Sequence, residues 1–333
     1  MEEQELQQTE HQAKPDLLYH YTTQEGLLGI LEKQKIWASH LQYLNDKSEG
    51  HIFSKLLLDE LNQRTTTGPE EPLSQLGMYA QLMMLSIDQP KSQIQGAYKD
   101  VLDLGKKAFS WIANQDTFVA SFSERGDLLS QWRAYSGETG GYSIAFTRSY
   151  LKSVGVHFLE SRKESFYEDS NPLAACQYCD KREEESLIRE IGRILDSYVT
   201  EANQANWQAI PEREEGFRIL GAISKKHFFP LSKRRAITKD QAFSEEAEWR
   251  LVFQLERTGT TDSEPKFRLG RSMPIPYFNV DLTWENQALD IHKIIVGPCP
   301  HPFEAAKSVE RLLRKQGVRK FEVKNSKIPY RNW

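Results

Sequence analysis

Two short segments carry residue types that could do chemistry, and the first lies near the N-terminus. His20 and Tyr21 place an imidazole beside a phenol inside an apolar, strand-like run. Because side chains alternate along a strand, the two rings must face opposite sides of it. We expect His20 to contact a ligand and Tyr21 to pack on the other face. A purely structural role for His20 is the alternative, since histidines in strands often serve that role.

The second segment, SEEAEWRLV, places two carboxylates at the start of an apolar run. Glu246 and Glu248 are two residues apart, so on a strand they would share a face. A carboxylate that enters a buried strand costs desolvation free energy unless it has a partner. The sequence leaves two interpretations of Glu248: a structural residue paired with Arg250, or a functional acid.

A third segment, SFSERGDLLSQWRAYSGETGGYSIAF, combines polar side chains with a glycine turn. Ser123 and Arg133 could face a pocket, because Gly140-Gly141 would let the backbone approach a ligand closely. In the alternative interpretation, Trp132 and Tyr135 are core residues and the polar residues only cap the neighbouring elements. The sequence does not choose between the two.

The cysteines give a weak metal signal. Cys176 and Cys179 have the spacing of zinc ligands, and Cys299 with His301 could complete a set of four. A single CxxC without a second well-spaced pair rarely binds zinc, so we predict no metal. The motifs typical of zincins, P-loop proteins and α/β-hydrolases are also missing from the sequence.

The hydrophobic pattern predicts the elements that position these residues. Alternation and helical spacing predict strands over 17–22, 36–39, 117–123, 142–147, 248–254, 291–296 and 321–323, weaker strands near 267–269 and 274–280, and helices over 24–33, 51–64, 128–135 and 303–316. Residues 1–16 read as a polar or disordered tail. We predict one α+β domain over 17–333 with a mixed or antiparallel sheet and helical insertions near 51–115 and 181–230.

Composition places the chain in a broad class. The 333 residues carry a net charge of −4, which does not predict nucleic-acid binding. The basic clusters at 225–235 and 311–320 are interpreted as solvated faces. No run approaches the ~20 apolar residues that span a bilayer, and the acidic N-terminus is unlike a signal peptide. Three cysteines form no disulfide framework, so we expect a cytoplasmic protein without a membrane partner.

Several motifs together resemble a known family. LLYHYT with GLLGIL, YLNDKSE, the serine- and glycine-rich third segment, EAEWRLVF and IHKIIVGP occur in this order. As a set they resemble the largely bacterial domain of unknown function 2971, over most of residues 17–330.

A more distant resemblance links the chain to the ADP-ribosyltransferase superfamily. The opening strand with His20 and Thr22, the helix that follows, and a late glutamate are similar to that superfamily. The resemblance implies an ADP-ribosyltransferase-like fold, NAD as substrate without a metal, His20 as a ribose contact and Glu248 as the acid. The aromatic residue that would stack on nicotinamide stays open among Tyr43, Tyr135 and Tyr142.

The resemblance implies an NAD-using ADP-ribosyltransferase or NAD glycohydrolase, such as a toxin or anti-phage defence effector. A carboxylate suits the oxocarbenium-like state of that reaction, and Glu246 would orient a protein or nucleic-acid acceptor. The alternative is a non-catalytic module that binds a nucleotide or a protein. Nucleic-acid processing through residues 225–235 is the least favoured hypothesis, and the oligomeric state stays open.

Overall fold

Ten of the twelve described strands form one large sheet, and the other two, Gln177–Cys179 and Thr238–Asp240, pair separately as a two-stranded sheet. The computed structural model describes residues 16–44, 46, 50–67, 91–113, 116–137, 140–162, 171–205, 213–255, 264–270 and 272–331, so all but the last residue of the predicted tail lies outside the described residues. The strands are Leu17–Thr23 (β1), Lys35–His40 (β2), Asp116–Ser123 (β3), Gly141–Thr147 (β4), Leu173–Ala175 (β5), Gln177–Cys179 (β6), Thr238–Asp240 (β7), Glu248–Leu255 (β8), Lys266–Arg268 (β9), Ile275–Asp281 (β10), Lys293–Val296 (β11) and Glu322–Asn325 (β12).

Helices cover both faces of this sheet. They are Gln24–Lys33 (α1), His51–Thr67 (α2), Lys91–Ala113 (α3), Leu129–Tyr135 (α4), Arg148–Ser161 (α5), Lys181–Gln204 (α6), Arg213–Ile237 (α7) and Pro302–Lys315 (α8). Residues of α1, α5 and α8 share the main core with one face of the sheet. Helices α2, α3, α6 and α7 form a second apolar cluster among themselves. No described helix is long and apolar enough to cross a membrane.

The sheet divides at β3. The strand order is β12-β11-β4-β1-β3-β2-β10-β9, and β8 also pairs with β3. Strand β8 occupies one edge of β3 along its whole length, from Asp116 to Ser123. Strands β1 and β2 therefore share the other edge: β1 pairs at Ser123, and β2 at Phe118 and Val119. Beyond these pairs the two strands separate.

The pairings confirm an α+β protein with a mixed sheet. Most neighbours are antiparallel, but β11 and β12 run parallel and are joined by α8, as the β-α-β pattern predicts. The helices of the second cluster lie within or close to the ranges 51–115 and 181–230 that the sequence suggested for insertions.

Helix α1 shows why local predictions succeed. The Thr23 hydroxyl caps the helix by accepting a hydrogen bond from the Gly26 amide, at 3.1 Å. Leu27, Ile30 and Leu31 recur at helical spacing and all three are buried. The helix ends at Gln34, whose φ of 53° is left-handed. Sequence and structure agree on its bounds.

Helix α4 begins without a side-chain cap. Asp127 does not cap it, because the capping position is Leu128 and makes no side-chain hydrogen bond there. The Asp127 carboxylate instead accepts hydrogen bonds from Trp132 Nε1 at 2.7 Å, Ser326 Oγ at 2.5 Å and the Lys327 amide at 2.8 Å. It thereby fastens the C-terminal segment to this helix.

Candidate functional site

Glu248 begins β8 as part of a buried ionic network. Arg250 follows two residues later on the same face, and its guanidinium donates to both carboxylate oxygens of Glu248, at 2.8 and 2.9 Å. Lys239 of β7 donates to the same carboxylate at 2.7 Å. Arg250 also donates to the Ala236 carbonyl at 2.7 Å. Glu248 is 6% exposed and Arg250 1%, so both charges are buried and compensated.

The second carboxylate reaches the same ammonium from outside the strand. Glu246 ends the 3₁₀ helix Gln241–Glu246, and Ala247 is left-handed with a φ of 42°. The strand geometry expected for Glu246 and Glu248 is therefore wrong, because β8 begins only at Glu248. Their carboxylates nevertheless converge, since Glu246 accepts from Lys239 at 2.6 Å.

The network fixes the protonation of its members. Burial by itself would raise the pKa of Glu248, but the charges and hydrogen bonds of Arg250 and Lys239 outweigh burial and lower the pKa to about 2. Burial opposes the charge of Lys239 too, yet Glu248 and Glu246 raise its pKa. The Tyr178 hydroxyl accepts from the Glu248 amide at 2.7 Å, and burial raises the pKa of Tyr178. Glu248 is thus a carboxylate at every physiological pH.

Ser123 lies beside this network and is used structurally. Its hydroxyl donates to the Glu246 carbonyl at 2.6 Å and accepts from the Arg125 amide at 3.0 Å. The side chain is buried, with 3% exposed. Ser123 therefore fixes the turn after β3 against the turn before β8.

His20 lies at the division of the sheet. Its Nδ1 donates to the Ser121 carbonyl of β3 at 2.9 Å, at a position where neither β1 nor β2 pairs with β3. Its ring packs on Phe122 with centroids 5.7 Å apart. Burial lowers the pKa of His20, although the hydrogen bond to Ser121 acts to raise it. The net effect favours the neutral ring.

His20 and Glu248 lie on opposite faces of the sheet. Tyr19, Ser123 and Glu248 are directly paired across β1, β3 and β8, so their side chains share one face. His20 follows Tyr19 and points to the other face, where it contacts Phe122. His20 and Glu248 therefore do not line one cleft, as contact with a single NAD molecule would require. Tyr21 packs on Trp132 on the face away from His20, which confirms that prediction.

The other predicted ligand contacts do not gather around either residue. Thr22 pairs with Tyr142 across β1 and β4, on the face of His20, and burial raises the pKa of Tyr142. Arg133 lies on α4 with its guanidinium 5.3 Å from the ring centroid of Tyr330. Tyr135, on the same helix, is 37% exposed.

Tyr43 ends the short 3₁₀ helix after β2, with its ring edge-on to His40 at 5.3 Å. The nine predicted site residues thus form one group around Glu246, Glu248 and Ser123, a second around His20, Thr22 and Tyr142, and scattered positions.

A cavity that the sequence did not reveal lies between the last turn of α8 and β12. It has a volume of about 520 Å³ and is lined by Glu310, Arg314, Gly317, Val318, Arg319, Phe321 and Val323. We call it the α8–β12 cavity. The Arg314 guanidinium lies 5.9 Å from the ring centroid of Phe321 and 3.4 Å from the Glu310 carboxylate.

Gly317 shapes this cavity. Its φ of +78° reverses the chain after α8, and no heavy atom lies within 4 Å of where a Cβ would be. The run RLLRKQGVRKF is the sequence signal that could have indicated this cavity. It places an arginine, a glycine that turns the chain and an aromatic residue within a few positions of one another. The sequence interpretation had treated its basic residues as a solvated face.

The comparisons with known proteins agree with one of the two resemblances. Residues 131–251 match the model of a family described as Protein of unknown function (DUF2971). The chain is similar to this family over residues 131–251, which we call the DUF2971 region. No curated protein and no solved structure matches the chain.

The DUF2971 region contains the ionic network but not the cavity. Lys239, Glu246, Glu248 and Arg250 all lie inside it, and Phe321 lies outside it. The region also holds Cys176, which is buried, and Cys179, whose pKa is raised by burial and by nearby carboxylates. Among the described residues, no three histidine, cysteine or acidic side chains are grouped as metal ligands.

The basic segment 225–235 in the DUF2971 region is largely engaged within the protein. Lys226 pairs with Glu201 at 2.8 Å, and Arg234 pairs with Glu190 at 2.5 Å. Arg235 is buried and donates to Thr117 at 2.9 Å. The interpretation of this cluster as a solvated face is wrong for Arg235, which links α7 to β3.

Proposed function

We propose that this protein is a nucleotide-binding module whose ligand occupies the α8–β12 cavity. The observation that carries the proposal is the combination of groups in one concave site: the Phe321 ring, the Arg314 and Arg319 guanidiniums and the Glu310 carboxylate. Small-molecule sites of about 300–1,000 Å³ typically combine an apolar wall with a few convergent polar groups. The volume of this cavity falls within that range.

Each lining group matches one part of a nucleotide. The face of Phe321 can accept a planar base, and guanidinium groups bind phosphate through charge-assisted hydrogen bonds. The Glu310 carboxylate can accept a hydrogen bond from a ribose hydroxyl or a base amino group. Arg314 is mostly exposed and its contact with Glu310 is long, so little is lost when it turns to an anion.

The ionic network supports binding without turnover. Both oxygens of Glu248 are occupied by cations of the same chain, and the carboxylate is buried. A catalytic carboxylate must reach its substrate, and His20 lies on the other side of the sheet. The proposed module is therefore non-catalytic.

Calorimetric titration with AMP, ADP, ATP and NAD tests the proposal. We expect saturable binding, weakened about 5- to 150-fold by Phe321→Ala, because stacking of a base on an aromatic ring contributes about 1–3 kcal/mol. Arg314→Ala should weaken ATP more than AMP. Phe303→Ala is the matched control: this phenylalanine is on α8 with Arg314, is 72% exposed and does not line the cavity. Absence of saturable binding, or equal affinity of the Phe321→Ala protein, would reject the proposal.

A second candidate function is an ADP-ribosyltransferase or NAD glycohydrolase, acting as a toxin or defence effector in the cytoplasm. Two observations favour it: His20 lies at the division of the sheet, and Glu248 stays ionised. An ionised carboxylate is what an oxocarbenium-like state requires. This function requires a rearrangement that frees Glu248 from Lys239 and Arg250. An ADP-ribosyltransferase-like fold is part of this second candidate.

Release of nicotinamide from NAD separates the two candidates. The transferase candidate predicts release by the unmodified protein and loss of release in Glu248→Gln, compared with the exposed neighbour Glu245→Gln. The binding module predicts no release while the calorimetric binding persists. Unfolding curves of both variants show whether a loss of release has a structural origin.

A further inference from the structure

The outer strands β2, β10 and β9 present an aromatic, basic surface to solvent. Ser39, Tyr277 and Lys266 are directly paired across the three strands. Trp37 pairs with Asn279, and Arg268 pairs with Ile275. Paired residues and residues two apart share a face, so all of these side chains lie on one side of the sheet. We call Trp37, Tyr277, Lys266 and Arg268 the aromatic sheet face.

Trp37 is unusually exposed for a tryptophan. Trp37 is 46% exposed, whereas Ile36 and Ala38 beside it on the chain are fully buried on the opposite face. Its ring lies 4.9 Å from that of Tyr277, at an interplanar angle of 48°. Large exposed apolar groups that touch each other commonly mark binding surfaces.

Arg268 gives the face an unsatisfied cationic group. Its guanidinium lies 5.6 Å from the Trp37 ring centroid, and one terminal nitrogen donates to Ser39 Oγ at 3.1 Å. Its Nε–H is buried without a hydrogen-bond acceptor in the described structure. No carboxylate pairs with it among the described residues, and burial lowers the pKa of Arg268.

The charges around the face favour an anion. Lys35 pairs with Asp281 at 2.8 Å on the same side of the sheet, so that acid is already neutralised. Lys266 and Arg268 remain as uncompensated cations among the described residues, on a chain with a net charge of −4. The face is therefore locally positive.

We infer that the aromatic sheet face binds single-stranded nucleic acid, with bases on Trp37 and Tyr277 and the phosphate backbone on Lys266 and Arg268. Stacking rings beside cations are the typical construction of surfaces that bind single strands. The face is flat and spans three strands, which suits a polymer rather than an enclosed small molecule. Phe267 of β9 is also exposed, but it alternates with Lys266 and Arg268 and faces the other side of the sheet.

This site is independent of the α8–β12 cavity, which involves other strands and other residues. Phe321→Ala should leave binding of a single strand unchanged, and Trp37→Ala should leave nucleotide binding in the cavity unchanged. Failure of one proposal is therefore distinguishable from failure of the other.

Fluorescence anisotropy with a labelled ten-nucleotide single strand, as DNA and as RNA, tests the inference across a series of salt concentrations. We expect affinity to fall with salt, with a slope of about −0.7 per phosphate contacted. Trp37→Ala should weaken binding about fivefold or more, while Trp37→Phe should retain most of it. Arg268→Ala should make the salt dependence shallower.

Tyr135→Ala is the control for the loss of an exposed aromatic ring away from the face, and a duplex of the same sequence should compete poorly. Circular dichroism verifies that each variant is folded. The inference is overturned when the unmodified protein shows no salt-dependent binding of either strand, or when folded Trp37→Ala protein binds as tightly as the unmodified protein.

Discussion

The Glu248 carboxylate stays ionised although it is buried, because Lys239 and Arg250 compensate its charge. Two cations of the same chain surround its carboxylate, and each remaining polar atom of Arg250 that is described also finds an acceptor. Such a network fixes which residues meet but adds little net free energy compared with an apolar core of the same shape. Removing a single member is a different matter, because the remaining charges stay buried and uncompensated.

We therefore expect Glu248→Gln to lower the free energy of unfolding by about 3–5 kcal/mol. The amide leaves Lys239 and Arg250 with less than their full compensation. Urea denaturation measures the change. Glu245→Gln is the control, because Glu245 is exposed on the adjoining 3₁₀ helix. Equal stability of the two variants would show that the network contributes nothing.

The same network predicts how stability depends on pH. The pKa of Glu248 is lowered from 4.5 to about 2 in the folded protein, so the carboxylate is protonated more readily after unfolding. Its contribution to stability is complete above pH 4.5 and is lost as the pH falls toward 2. Thermal unfolding from pH 6 to pH 2 measures this loss. The slope should be shallower in Glu248→Gln, and an unchanged slope would contradict the assignment.

At the scale of elements, β3 pairs with three strands, and His20 lies where two of them, β1 and β2, separate. Where β1 and β2 separate, the imidazole satisfies the Ser121 carbonyl that neither strand reaches. His20→Ala should therefore destabilise the protein by about 1–3 kcal/mol, since it leaves a carbonyl unsatisfied. Urea denaturation measures the loss, and the exposed His51→Ala is the control. A neutral effect would mean that water replaces the ring without cost.

Most strands of the large sheet were predictable, but helix α5, the short strands β5, β6 and β7, and the pairing of the strands were not. Helix α1 has its cap, its apolar stripe and its end within a dozen residues, so local rules suffice. The faces of His20 and Glu248 depend instead on how β1, β3 and β8 align, and these strands lie more than a hundred residues apart. The sequence also cannot show that Ala247 turns left-handed, and that turn ends the 3₁₀ helix and starts β8. The α8–β12 cavity could not be predicted from the sequence for the same reason, because its lining residues come from different elements.

At the scale of the whole molecule, the Asp127 carboxylate connects the C-terminal segment to α4. Asp127 receives hydrogen bonds from Trp132, Ser326 and the Lys327 amide, and Ile328 packs in the adjoining apolar cluster. Asp127→Ala should release this segment and lower the free energy of unfolding by about 1–3 kcal/mol.

Hydrogen exchange measures that release. We expect faster exchange across residues 326–331 in Asp127→Ala and unchanged exchange in β8. Asp103→Ala is the control, because among the described residues Asp103 forms a half-exposed ion pair with Lys106 at 3.5 Å. Exchange that accelerates everywhere would point to global destabilisation instead of a local clasp.

The position of β3 between its three partners also bears on synthesis at the ribosome. Strand β8 covers one full edge of β3, yet 125 residues separate Glu124 from Trp249, which are hydrogen-bonded to each other. At roughly 5–20 residues per second, β3 waits about 6–25 s for that partner to be translated. During this interval the backbone N–H and C=O groups along that edge of β3 are unpaired, so the nascent chain is exposed to aggregation until β8 emerges.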